Sequence, residues 1–251
     1  MRQDIFIIYY VFINPSNDWK NIIIGQLQDI VNSNILYNRG IYNTNIDVVL
    51  SCHTADLIEM ARIMIEEFFA IRCITNYNII YASDNNFYEY PGIYQLYLRG
   101  RSASYESDAR GASDATGENS DAICLYLHTK GMSYHSNSGR ELCEVQLTRN
   151  ILHSWERTIS ILKENKSLNK ATIACSQNGW GWFNFYWVKA SYLRKCVEPI
   201  KSDDRYYYES WVGRYGSNTY EDCYNLISPE TKHYEPHEAM YLLSRLSINF
   251  N

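Results

Sequence analysis

Leu125-Tyr126-Leu127-His128-Thr129-Lys130-Gly131 sets an apolar run directly against an imidazole, a hydroxyl, a cation and a glycine. A lysine ammonium is a compact point charge suited to phosphate, and glycine lets backbone approach a ligand closely. In open parallel sheets ligands bind beyond the carboxyl ends of strands, where these four residues fall. The plainer reading is a solvated turn, because Lys-Gly after a strand is common. A second stretch, Asp84-Asn85-Asn86-Phe87-Tyr88-Glu89-Tyr90-Pro91-Gly92, follows the apolar run Asn78–Ala82. It brings Asp84, Asn86 and Glu89 to the same expected edge, or else forms only a capped chain reversal. His233 and His237 have the i, i+4 spacing of two metal ligands on one helical face. Pro236 interrupts that spacing, and the glutamate of the zinc-protease pattern is missing after the first histidine.

The elements that must position these groups follow from periodicity. Ile5–Ile13 predicts a buried strand, Asn14 to Asp18 a polar capping loop, and Trp19–Val31 a helix with Ile23, Leu27, Ile30 and Val31 on one face. Ile46–Ser51, Asn78–Ala82 and Ala122–Leu127 predict further strands, Ala55–Phe69 an amphipathic helix, and Tyr94–Leu98 the opening of another. Between Arg99 and Asp121 almost no large apolar residue occurs, which predicts a mobile loop over 99–121, either a lid or a surface insertion. Glu141–Lys163 predicts one long helix or two, Ile173–Cys175 a short strand, and Ala239–Leu246 a closing helix. Alternating strands and helices predict one α/β domain over 1–251, with a doubly wound, mostly parallel sheet covered on both faces.

Composition narrows the partners. The net charge is −5 and no basic run occurs, which argues against nucleic acid. Aromatic residues reach 15%, a supply of faces for sugar and base rings, although an AT-rich coding genome inflates tyrosine equally well. The seven cysteines are scattered without a close pair, so the sequence predicts a reducing, cytoplasmic setting rather than a disulfide framework. Ile5–Ile13 is too short to span a bilayer, and the expectation is a soluble chain with no membrane span.

In this order, the two strand-end motifs resemble a family of glycosyltransferase-like proteins that includes rhamnan-synthesis-type bacterial enzymes and relatives in large DNA viruses. Asn86, Tyr88, Glu89 and Pro91 match the first motif, with Phe87 in place of the usual glycine. Tyr126, His128, Thr129, Lys130 and Gly131 match the second. Downstream, Asn178 to Trp187 looks like the family's aromatic stretch around a Gly-Asn-Phe-Trp core. Arg205-Tyr206-Tyr207-Tyr208-Glu209-Ser210-Trp211-Val212-Gly213 looks like its Arg-Tyr-x-x-Glu-x-Trp-(Ile/Val)-Gly. The resemblance spans residues 5 to 215.

The resemblance implies a GT-A fold and transfer of a sugar from a nucleotide-diphosphate donor, UDP type favoured, to a glycan or glycoprotein hydroxyl with inversion. It implies a nucleotide-sugar half up to residue 135 and an acceptor half over 136–251. Donor contacts fall to Asp84, Asn86, Glu89, His128, Thr129, Lys130 and Gly131, and acceptor contacts to Trp182, Asn184, Phe185 and Trp211. Glu209 becomes the catalytic base, with Glu221 and Asp222 in reserve; by spacing alone Glu209 equally suits an ion pair with Arg205 or Arg214. Most such enzymes carry Asp-x-Asp at the strand end to hold manganese or magnesium. Here His128-Thr129-Lys130 stands there, which leaves the metal open: Lys130 can neutralise the departing diphosphate itself. His128 with His233 or His237 is the remaining metal candidate set. If the chain is viral, its setting is the host cytoplasm. The alternative is a non-catalytic module that holds a nucleotide or glycan on a degenerate transferase fold.

Overall fold

Three β-branched and aromatic runs near the start of the chain pair side by side. The computed structural model describes residues 2–37, 40–83, 88–109, 121–129, 140, 142–213 and 219–246. Strands β1 (Gln3–Phe12), β2 (Tyr42–Ser51), β3 (Tyr77–Ser83) and β4 (Ile123–His128) lie parallel in the order β3-β2-β1-β4. The sheet then continues through β6 (Tyr186–Lys189), β5 (Lys170–Thr172) and β7 (Cys223–Asn225). β6 runs antiparallel to both β4 and β5, whereas β5 and β7 are parallel. β1, β4, β5 and β7 therefore present their carboxyl ends at one edge, together with the start of β6.

Helices cover both faces, as expected. α1 (Trp19–Asn32), α2 (Ala55–Ile71), α4 (Leu142–Leu152) and α5 (Trp155–Glu164) bury Ile23, Leu27, Ile65, Phe69, Ile151 and Leu162 against one face. α3 (Tyr90–Ala109), α6 (Ala190–Leu193) and α7 (Arg205–Ser210) cover the other with Ile93, Leu96, Leu193 and Tyr208. Each such side chain withdrawn from water contributes about 1.5–3 kcal/mol. The first two crossovers lie on one face and the third on the other, so the winding reverses between β1 and β4. In doubly wound sheets that reversal opens a crevice at the strand ends. The last helix, α8 (Pro236–Arg245), starts on a capping box between Glu235 and Glu238.

Several expectations shift. The loop expected over 99–121 begins as helix, because α3 continues to Ala109; residues 110–120 lie outside the described residues. α3 is pinned there by Arg99, whose Nε and Nη2 donate to the Asp47 carboxylate at 2.6 and 2.7 Å in the middle of β2. Of the two expected readings of the 141–163 region, two helices is the one that forms, with a break where Ser154 takes a φ of 52°. The strand expected at Ile173–Cys175 forms three residues earlier. Among the described residues no helix is long and apolar enough to cross a membrane.

Candidate functional site

The carboxyl end of β4 is fixed from both sides of the sheet. From α1, Gln26 donates to the His128 carbonyl at 3.1 Å, and it is itself held by Tyr9 and Thr148. Thr129 continues the ladder: its N–H donates to Tyr10 O at 3.0 Å, and its hydroxyl accepts from Phe12 N at 3.1 Å. Its hydroxyl also donates to Phe12 O at 3.3 Å. Thr129 is thus a stitch between β4 and β1, a correction to its expected role as a donor contact.

Side-chain direction alternates along a strand, so Tyr126 and His128 both face α3. Glu89 stands immediately before α3, its carbonyl accepting from Ile93 N at 3.0 Å. Its Oε1 lies 3.5 Å from His128 Nε2, which is also 3.2 Å from the Phe183 carbonyl. Both neighbours of Nε2 are acceptors, so Nε2 carries a proton and donates to Phe183 O. The other Glu89 oxygen accepts from Asn184 Nδ2 at 3.2 Å. His128, Glu89 and Asn184 therefore meet at the β1/β4 reversal although they come from three distant stretches.

The backbone around them is unusual. Tyr88, Phe183 and Asn184 all have positive φ, at 52°, 71° and 61°. Left-handed backbone costs a β-carbon-bearing residue about 1–3 kcal/mol, and such strain collects at functional sites. The Trp182–Asn184 turn that carries two of them aims the Phe183 carbonyl at His128. Beneath the turn three tyrosines gather. Tyr10 donates to Tyr88 O at 2.5 Å, Tyr126 and Tyr186 stand 5.5 Å apart between ring centres, and Tyr126 stacks on His128 at 6.1 Å. Burial, with the Glu89 charge nearby, pushes all three phenols well above their usual range, so they stay neutral. Among the described residues the Tyr126 and Tyr186 hydroxyls and Asn184 Oδ1 are buried without a hydrogen-bond partner, a cost that folded proteins rarely keep without reason. Tyr126 belongs to the second strand-end motif and Tyr186 to the aromatic stretch, whereas Tyr10 carries no motif signal beyond its place near the end of β1.

Neither a family model, nor a curated protein, nor a solved structure matches the chain.

Asp84, Asn86, Lys130 and Gly131 lie outside the described residues. Of the expected acceptor contacts, Asn184 joins the cluster through its amide, and the buried Phe185 ring backs it, 5.1 Å from the His128 ring. Phe185 is fully buried in the core, and Trp211 is 3% exposed with its indole donating to Val197 O at 3.0 Å. Both are interior packing, a correction to the expected sugar platform, because large aromatic surface is worth most when buried. Trp182 is half-buried and donates to Tyr234 O at 2.8 Å. Glu209 is half-buried on α7, which packs against the Trp182–Asn184 turn. Arg214, one expected ion-pair partner, lies outside the described residues. Asp222 is taken by the buried ammonium of Lys170 at 2.7 Å, so it is no reserve base.

His233 and His237 do not share a helical face, since α8 begins only at Pro236. Among the described residues no group of three His, Cys, Asp or Glu side chains is placed to hold a metal ion. At the strand end Glu89 and the Nε2–H of His128 do not by themselves form a fitting ligand set.

Proposed function

We propose that the chain is a glycosyltransferase of GT-A type that moves a sugar from a nucleotide-diphosphate donor, of UDP type, to a hydroxyl of a glycan or glycoprotein. The convergence of Glu89, His128 and Asn184 at the β1/β4 reversal carries this reading. It puts a carboxylate, an imidazole and an amide where a doubly wound sheet receives a nucleotide. In the proposed step the acceptor oxygen attacks the anomeric carbon as the bond to the diphosphate oxygen breaks. Glu209 takes the acceptor proton, and the Lys130 ammonium neutralises charge gathering on the diphosphate. The seven free cysteines support a reducing, cytoplasmic setting.

Incubation with a panel of nucleotide sugars tests the proposal. A transferase releases nucleoside diphosphate slowly even without acceptor, whereas a binding module is stabilised by the donor but releases none. Donor at 100 times its dissociation constant adds about 2.7 kcal/mol of stability. Neither release nor stabilisation by any nucleotide sugar would refute both readings.

A further inference from the structure

A second concavity opens at the same edge of the sheet, beyond the carboxyl end of β7. Asn225, the last residue of that strand, organises it: its side-chain oxygen accepts from Cys175 N at 2.6 Å, and its amide donates to the Thr231 and Lys232 carbonyls. Tyr234 N donates to Cys175 O at 2.8 Å, which lays the following segment against the end of β5. The result is a groove of about 470 Å³ between the 228–234 loop and α8.

Its lining is chemically one-sided. His237, Tyr241 and Arg245 recur every four residues, so they form a stripe along α8 that faces the groove. Arg245 lies 4.4 Å from the Tyr241 ring centre, a cation–π contact that steadies the guanidinium. Across from them stand Ser228, Thr231 and His233, and His233 Nδ1 is buried without a hydrogen-bond partner among the described residues. Among the described residues Glu238 is the only acidic one in the lining. One of its oxygens accepts from Glu235 N at 2.8 Å, and it sits in the first turn of α8, where the helix dipole offsets its charge. A permanent cation, two imidazoles, two hydroxyls and an exposed phenol ring remain. That set complements a ligand with one anionic group, several hydroxyls and an apolar ring face.

The groove also adjoins the cluster at β4. The Trp182 indole is bonded to Tyr234 in the groove's wall, and the carbonyl of the next residue, Phe183, accepts from His128. Trp182 and Phe183 are consecutive, so the Trp182–Asn184 turn touches both groove and cluster. We infer that the groove binds an anionic saccharide, a uronate or a sugar phosphate, as the acceptor. Its link to the reaction rests on the transfer reading; the binding itself does not.

Calorimetric titration of the whole chain with glucuronate, glucose 6-phosphate and glucose, and separately with UDP, tests this. At least one anion should bind tenfold or more tightly than glucose. Arg245→Ala should erase that preference, Tyr241→Ala should weaken the anion about tenfold, and UDP affinity should stay within twofold in both variants. Both residues are exposed, so neither change threatens folding. The inference is overturned if glucose binds as well as the anions, if neither anion binds, or if Arg245→Ala keeps the preference. It is also overturned if Arg245→Ala weakens UDP and anion alike, since the groove would then be a nucleotide site. Anion binding without any UDP binding would leave the groove standing and remove the transfer reading.

Discussion

Glu89 Oε1 and His128 Nε2 lie 3.5 Å apart, and the two residues bracket a single crossover, one entering α3 and the other ending β4. Their separation is therefore set by how α3 seats on the sheet. Because Nε2 donates to the Phe183 carbonyl, the carboxylate sits beside a hydrogen-bonded imidazole and also accepts from Asn184. A geometry shared among three elements is sensitive to each of them.

Replacing Glu89 with Gln keeps an acceptor for Asn184 but removes the charge. The expected outcome is a fall in nucleoside-diphosphate release of tenfold or more, with the unfolding midpoint in urea nearly unchanged. Release assays with saturating donor, paired with urea titration, check both halves.

Gly92 explains how α3 comes close enough. A β-carbon there would lie 2.5 Å from Tyr10 Cβ and 2.8 Å from the Tyr126 hydroxyl. Gly92→Ala should push the start of α3 away from β1 and β4 and carry Glu89 with it. Overpacking of this kind costs about 1–3 kcal/mol. Activity should fall further than in a surface control of equal stability, measured at a temperature where both are folded.

Asp47 anchors the other part of α3. Burial tends to raise its pKa, but hydrogen bonds from Arg99, Asn78 and Gln95, together with the Arg99 charge, prevail and hold it below the usual carboxylate range. The folded-state value is below the unfolded one of about 3.9, so this stabilisation is complete above pH 3.9 and declines as the pH falls through the folded value. Asp47→Ala, which strands Arg99, should cost about 3–5 kcal/mol at pH 7. Asp47→Asn should show a smaller loss of stability between pH 7 and pH 3 than the parent chain, by urea titration.

The four parallel strands were legible because each is a run of β-branched and aromatic residues too short for a helix. β5 was misplaced because Ile173-Ala174-Cys175 is more apolar than Lys170-Ala171-Thr172. The ladder nevertheless uses the latter, since Asp222 and the Tyr192 hydroxyl satisfy the Lys170 ammonium inside the sheet. The reversal of β6 was hidden for a different reason. It depends on positive φ at Phe183 and Asn184, and a phenylalanine gives no sign of that conformation. The helical course of α3 past Arg99 was missed because Ser and Ala there supply no apolar stripe. At the site, the meeting of Glu89 with His128 followed from two strand ends at one edge. The burial of Trp211 and Phe185 did not, because an aromatic side chain serves a core and a sugar platform equally well.

Trp211 provides a direct check on that last point. Its ring meets Tyr97 edge-on at 6.4 Å, and its indole donates to Val197 O. Trp211→Ala should destabilise the fold by about 3–5 kcal/mol, as for other buried aromatic truncations. Trp211→Phe should recover most of the loss. Acceptor KM should not change in the phenylalanine variant, whereas a sugar platform would raise it severalfold.

Glu209 is the decisive residue for the proposed chemistry. It rides on α7, whose start is capped by Asp204 accepting from Tyr206 N at 2.9 Å, and whose body packs against the Trp182–Asn184 turn. That places a half-buried carboxylate one element away from the His128 imidazole and the Asn184 amide. A base acts only while the acceptor hydroxyl loses its proton, and its removal commonly costs 10²–10⁴-fold in rate without touching donor affinity. Glu209→Gln should therefore abolish most sugar transfer, while UDP binding by calorimetry stays within about twofold. Slow donor hydrolysis should persist at a reduced rate, because water still reaches the anomeric carbon. If instead the variant transfers sugar at the parent rate, the base lies elsewhere. A variant that loses UDP binding along with transfer would mark Glu209 as a support for the turn rather than a group at the reacting atoms.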